Sequence, residues 1–153
     1  MFPTTVERVA QNTSDEINQQ IRRQTEECVA WTVRKGPAAI AQRLDELDQE
    51  WDIERTLEAN ASTITLAGLI LGITVDRKFL AIPVGVAGFL LLHALQGWCP
   101  PLPILRRLGV RTQSEIEAER YALKALRGDF QKIGEDGPRN REQAADSLRA
   151  TQS

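Results

Sequence analysis

Residues 59–105 read ANASTITLAGLILGITVDRKFLAIPVGVAGFLLLHALQGWCPPLPIL. Two uncharged apolar runs, Ala59 to Val75 and Phe79 to Leu105, stand on either side of the tripeptide Asp76-Arg77-Lys78. At about 1.5 Å of rise per residue, the first run makes a helix of about 25 Å, and Phe79 to Trp98 makes one of about 30 Å. The hydrocarbon core of a bilayer is about 30 Å thick. The stretch therefore reads as a transmembrane hairpin with spans over about 59–75 and 79–98. The expected fold class is all-α: a membrane protein with a two-helix transmembrane hairpin and long helical cytoplasmic arms. A soluble bundle with the hairpin as its core is the other arrangement, but both runs together are more than the remaining chain readily covers.

Outside this stretch the chain is strongly polar, which the mean hydropathy of −0.31 conceals. Residues 1–58 hold 7 basic and 12 acidic side chains, 59–105 hold 2 and 1, and 106–153 hold 10 and 8. Nearly all charge has left the middle third. The longest polar segment is net acidic, so nucleic acid is not an expected partner, because phosphate binding needs a basic face. The lipid bilayer is.

Met1 to Val9 lack the basic and apolar regions of a secretory signal, so the hairpin is expected to direct its own insertion. Arg55 before the hairpin and Arg106, Arg107 and Arg111 after it outnumber Arg77 and Lys78 in the turn. That bias places both termini in the cytoplasm. Cys28 and Cys99 then face a reducing compartment or the membrane boundary, where no disulfide is expected, and their spacing forms no metal motif.

Within the first span, Gly68 and Gly72 form a Gly-x-x-x-Gly pair, extended by Ala61 and Thr65; the second span offers Ala81, Gly85 and Gly88. Small residues let helix backbones approach closely where lipid supplies no hydrophobic drive. The seam serves packing within one hairpin or pairing with a second copy. Polar residues at membrane depth are Asn60, Ser62, Thr63 and Thr65 on the first helix and His93 and Gln96 on the second, at the same membrane face. His93 is a candidate functional residue, since ionisable groups in a span are expensive, and a hydrogen-bonding role is its other reading.

The N-terminal arm, residues 1–58, reads as helical. Thr4 or Thr5 caps a helix to about Lys35, with Val6, Val9, Ile17, Ile21, Cys28 and Trp31 as a thin apolar stripe. Gly36-Pro37 ends it and starts the next. There Ile40, Leu44, Leu47 and Trp51 recur at heptad-like spacing. This stripe is expected either to pack on the chain's own helices or to join a second protomer as an oligomer seam. With no Pro or Gly between Ala38 and Ala67, the helix is expected to run on into the membrane as one rod. After the hairpin, Thr112-x-x-Glu115 and Ser114-x-x-Glu117 have capping-box form and open an amphipathic helix, making residues 106–133 a third segment. Its apolar edge is Ile116, Leu123, Leu126, Phe130 and Ile133. Residues 134–153 read as a flexible tail with a transient helix over Glu142 to Ala150.

The exit from the hairpin is Gly97-Trp98-Cys99-Pro100-Pro101-Leu102-Pro103. The prolines end the helix and Trp98 is placed as an interfacial anchor. This text, with the later Leu108-Gly109-Val110, resembles the YgaP-like inner-membrane domain, a small bacterial two-helix family with a Gly-aromatic-Cys-Pro motif at the end of its second helix. The resemblance covers about 50 of the 153 residues. It implies a bacterial inner-membrane location, dimerisation and the passage of small anions, and it makes Cys99, with Trp98 and Pro100, the motif positions. Between Cys-Pro and Leu-Gly this sequence is longer and richer in proline than the family pattern, and no rhodanese region accompanies it.

No Ser/His/Asp or Cys/His arrangement, phosphate-binding loop or metal cluster stands out, so neither an enzyme nor a cofactor is expected. The expected role is structural: a scaffold or accessory subunit that self-associates or docks to a membrane complex. The alternatives are a small-solute or anion transporter, lined by Asn60, Thr63, Thr65, His93 and Gln96, and a thiol-dependent redox or sulfur-handling protein using Cys99. Reactivity at Cys99 requires a stabilised thiolate, for which Arg106 or Arg107 is the nearest cation in sequence.

Overall fold

A computed structural model describes Thr4, residues 6–130 and Thr151. Ile133 and the expected tail helix over 142–150 lie outside the described residues. Within them the chain is all-helical: α1 Arg8–Gln11, α2 Asp15–Lys35, α3 Pro37–Gln49, α4 Ile53–Thr74, α5 Ala81–Gln96, α6 Leu102–Arg107 and α7 Gln113–Arg127, with a 3-10 turn Arg77–Leu80 before α5. The described residues form two compact units, one from those within 1–22 and 51–114 and one from those within 23–50 and 115–153. α2 begins in the first and ends in the second.

In the first unit α4 and α5 form an antiparallel hairpin; the helical stretch that ends in α4 at Thr74, and α5 taken with its 3-10 turn as Arg77–Gln96, are long and apolar enough to cross a membrane. The turn is closed by Asp76, whose Oδ1 accepts from the Lys78 N–H at 2.8 Å and whose carbonyl accepts from the Phe79 N–H at 3.0 Å. Glycine makes the close approach possible. A Cβ on Gly68 would lie 2.8 Å from Pro83 Cδ, and one on Gly72 would lie 2.5 Å from Leu80 Cδ2. The Gly68–Gly72 seam is thus used within the chain. Gly85 and Gly88 are different: a Cβ at either would meet nothing within 4 Å. The outer faces of both helices are uncovered, with Ile73 81% and Val84 72% exposed.

At the open end of the hairpin, Val9, Ile53, Leu57, Cys99 and Leu102 form a buried core, with Leu105 and Val110 packed against it. Short helices α1 and α6 close this end. Buried Arg106 ties it together, donating from Nη1 to the Val110 carbonyl at 3.1 Å and from Nη2 to Asn18 Oδ1 at 2.9 Å.

Two helices expected as continuous are broken. The first stops at Asn12 and restarts at Asp15, because Asn12 and Thr13 side chains bond back to the Arg8 and Val9 carbonyls, at 2.8 Å each, and compete with the backbone ladder. The expected rod from Ala38 into the apolar run breaks over residues 50–52. Glu50 turns to an extended conformation, and Asp52 becomes an N-cap whose carboxylate accepts from the Arg55 N–H at 2.7 Å. Ile53 N–H then donates to the Arg111 carbonyl at 2.9 Å.

In the second unit, Ile40, Leu44 and Leu47 of α3 are buried with Ile116 and Leu123 of α7, and Val29 and Val33 of α2 pack on them. Three of the four stripe residues are therefore covered inside the chain. Trp51, the fourth, belongs to the first unit and is half exposed, with the Arg55 guanidinium 4.2 Å above its ring. Amid the second core sits Glu119, whose Oε1 and Oε2 accept from Arg43 Nε at 2.8 Å and Nη2 at 3.1 Å.

Candidate functional site

The chemistry of the first unit gathers where α5 ends. Gly97 takes φ +79°, a left-handed conformation that disfavours a side chain, and its N–H returns to the His93 carbonyl at 2.8 Å. The last carbonyls of a helix lack partners along its own axis. Here α1 supplies them: Arg8 Nη1 donates to the Ala94 carbonyl at 3.0 Å, and Asn12 Nδ2 to the Gln96 carbonyl at 2.7 Å. The left-handed turn carries the chain back so that Cys99 interacts with the His93 ring.

Glu54, in the first turn of α4, joins these elements. Its Oε1 accepts from Arg8 Nη2 at 2.7 Å, and its Oε2 lies 2.8 Å from His93 Nε2. A carboxylate at Nε2 favours the tautomer with the proton on that nitrogen. His93 is 4% exposed, and its Nδ1 has no hydrogen-bond partner of standard geometry. Cys99 is 3% exposed. The thiol also lines an apolar groove of about 410 Å³, with Leu57, Ile64, Phe89, Leu90 and Leu105 among its other walls. The carboxylate of Glu54 thus holds one side of the His93 ring, and Cys99 is packed beside it in the buried core.

The other polar residues of the two apolar helices are placed differently. Asn60 Nδ2 donates to the Thr56 carbonyl at 2.8 Å and Thr63 Oγ1 to the Ala59 carbonyl at 2.7 Å, the way polar side chains on apolar helices satisfy themselves locally. His93 faces Glu54. Trp98 and Pro100 are exposed, and Pro100 lines the groove. Arg106, named from sequence as a cation for Cys99, donates to the Val110 carbonyl and to Asn18 Oδ1.

Sequence reasoning missed Glu54 and Arg8. Glu54 carried a weak signal, as a carboxylate one turn ahead of an uncharged run; Arg8 carried none, since its partners Glu54 and Ala94 are 46 and 86 residues away. The Cys/His pairing went unseen because His93 and Cys99 are six apart, a spacing that puts two side chains together only when a left-handed residue ends the helix between them.

The second unit holds titratable groups of another character. Burial pushes the Cys28 thiol above its ordinary value, and the charge of Glu119 adds to it, so this thiol is a poor nucleophile. Burial lowers Lys124, and Arg120 beside it acts in the same direction; its Nζ donates to the Thr151 carbonyl at 2.9 Å. Arg120 pairs with Asp48 and Glu117, and Arg127 with Asp129. Among the described residues no group of three or more His, Cys, Asp or Glu side chains is arranged to hold a metal ion. Comparison with protein-family models, curated proteins and solved structures finds no match to this chain.

Proposed function

We propose that this chain is an integral inner-membrane protein in which the α4–α5 hairpin is the anchor, both termini are cytoplasmic, and the role is that of a scaffold or accessory subunit. The observation that carries the reading is the hairpin surface. α4 and α5 pack on one another through Gly68 and Gly72 and leave outward bands of Ile, Leu and Val uncovered, and only 6% of the second apolar window is buried in the chain. A monomeric soluble protein rarely exposes so continuous an apolar surface. Lipid covers it without further protein. The stripe of α3 is already buried within its own unit, so association between copies, or docking to a membrane complex, falls to the hairpin. The face of α5 carrying Gly85 and Gly88 is open to receive another helix at close range.

The YgaP-like resemblance of the hairpin and its Gly-Trp-Cys-Pro exit agrees with this placement. Alkaline carbonate extraction of washed vesicles tests it. The protein is expected in the pellet, and its release into the supernatant would overturn the membrane reading.

A further inference from the structure

The second unit carries a polar cavity of about 330 Å³ between α3 and α7, in which anchoring has no part. On α3, Ala41, Leu44, Asp45 and Asp48 recur at i, i+3, i+4 and i+7 and so share one face. On α7, Arg120, Lys124 and Arg127 fall at i, i+4 and i+7 and line the other wall. The cavity therefore has an acidic side and a basic side. Most of that charge is matched already, since Arg120 pairs with Asp48 and Glu117, and Arg127 with Asp129.

Two charges are left over, one on each wall. Lys124 is 2% exposed, and among the described residues its ammonium makes no ion pair; its one hydrogen bond goes to the neutral Thr151 carbonyl at 2.9 Å. Asp45 is exposed, and among the described residues its carboxylate has neither an ion pair nor a hydrogen bond. Water satisfies an exposed carboxylate. A buried cation is another matter, because burial takes its hydration and a paired negative charge is what offsets the loss. Burial, then Arg120 and Arg127, lower the pKa of Lys124 against the opposing charges of Asp129 and Asp48, so a negative group brought to the ammonium counters the larger causes.

We propose that this cavity binds a small aliphatic α-amino acid, with its carboxylate on Lys124, its ammonium on Asp45 and its side chain against Ala41 and Leu44. The count of unmatched charges decides the class. One unpaired cation answers one negative charge, so a carboxylate fits, whereas a phosphate monoester brings a second charge beside Asp48 and Glu117. A plain carboxylate engages one wall and a plain amine the other; a ligand with both ends engages both. An ammonium has three N–H donors, so Lys124 can hold a carboxylate without giving up the Thr151 carbonyl. The volume is at the small end of the range for small-molecule sites, about 300–1,000 Å³. The cavity lies away from the apolar helices in sequence and in unit, so the inference stands apart from the membrane reading.

Full-length protein in mild detergent is titrated calorimetrically with L-leucine, L-valine and L-alanine. The comparison ligands are isocaproate, which is leucine without its ammonium, isoamylamine, which is leucine without its carboxylate, and ethanolamine phosphate. At least one amino acid is expected to bind with a Kd on the order of 1 mM or tighter, and each one-ended analogue about tenfold or more weakly than leucine. Asp45→Asn is expected to weaken leucine to the level of isocaproate while leaving isocaproate unchanged. Lys124→Met is expected to weaken leucine to the level of isoamylamine while leaving isoamylamine unchanged. A loosened fold would weaken every ligand together. Because Asp45 is exposed, its substitution leaves the core intact, and that arm decides the matter even where Lys124→Met lowers the thermal midpoint. No binding by any of the amino acids, analogues that bind as well as leucine, ethanolamine phosphate that displaces leucine on equal terms, or an Asp45→Asn protein that binds as wild type each overturns the proposal.

Discussion

Glu119 is 1% exposed, and both of its oxygens are taken by Arg43. A buried carboxylate is tolerated when its charge is paired and its lone pairs are used, and is strongly destabilising otherwise. Its field also reaches Cys28, whose thiol is raised first by burial, then by Glu119, with Arg43 acting in the opposite direction. The sign follows directly: a raised pKa keeps Cys28 protonated at a pH where a free cysteine has begun to ionise, and only the thiolate reacts. In a Cys99→Ser background, alkylation of Cys28 by iodoacetamide at pH 8 is expected to be about threefold or more slower than that of a model thiol. Its rate-pH profile is expected to be displaced to higher pH. Glu119→Gln removes one cause of the shift and frees Arg43 to act on the thiol, so the profile moves back toward lower pH. A general loosening of the fold would raise the rates without moving the inflection. A Cys28 profile that coincides with the model thiol's in the unsubstituted protein contradicts the account.

Among elements, the α4–α5 pair shows how one residue type does two jobs. Gly72 sits where a Cβ would be 2.5 Å from Leu80, whereas Gly85 and Gly88 face open space. Gly72→Val is therefore expected to splay the hairpin and cost about 1–3 kcal/mol, the usual range for overpacking, seen as a lower thermal midpoint by circular dichroism in detergent. Gly85→Val with Gly88→Val is expected to leave that midpoint nearly unchanged and to shift a dimer toward monomer in light scattering. If Gly72→Val leaves the midpoint where it was, the hairpin does not pack as described; if the Gly85 and Gly88 pair leaves the mass unchanged, that face is not the seam. The same comparison shows what could be read from the chain. The all-helical class and the two long apolar helices were legible because runs without charge, broken by Asp76-Arg77-Lys78, have few other physical explanations. Gly68 and Gly72 were legible as a close-packing seam, though not which partner they meet. The breaks at residues 12–14 and 50–52 were not legible, because capping by Asn12, Thr13 and Asp52 competes with good helix formers by only about 1 kcal/mol, and tertiary bonds such as Ile53 to Arg111 tip the balance. Cys99 was singled out by its motif, and His93 by its place in a span. Their meeting, and the roles of Glu54 and Arg8, depend on contacts distant in sequence that no local pattern encodes.

For the whole molecule, the charge distribution along the chain makes a claim about sidedness. The hairpin turn carries Arg77, Lys78 and Asp76, while Arg55, Arg106, Arg107 and Arg111 stand at the other end. Arg106 is buried and bonded to Val110 and Asn18, so it serves structure. Arg107 and Arg55 are exposed, and on the proposed orientation they are the cations that would hold that end on the cytoplasmic side, against two cations in the turn. Such a margin is small, which makes orientation the most exposed part of the membrane reading and the part most directly measured. In a background of Cys28→Ser and Cys99→Ser, a cysteine placed at Arg77 is expected to react with a membrane-impermeant maleimide in intact spheroplasts. One placed at Ser114 is expected to react only after permeabilisation. The reverse pattern would put both termini outside the cytoplasm and overturn the proposed orientation. Labelling of both positions without permeabilisation would mean that the turn and the feet of the hairpin share one side, and that α4 and α5 lie on the bilayer instead of crossing it.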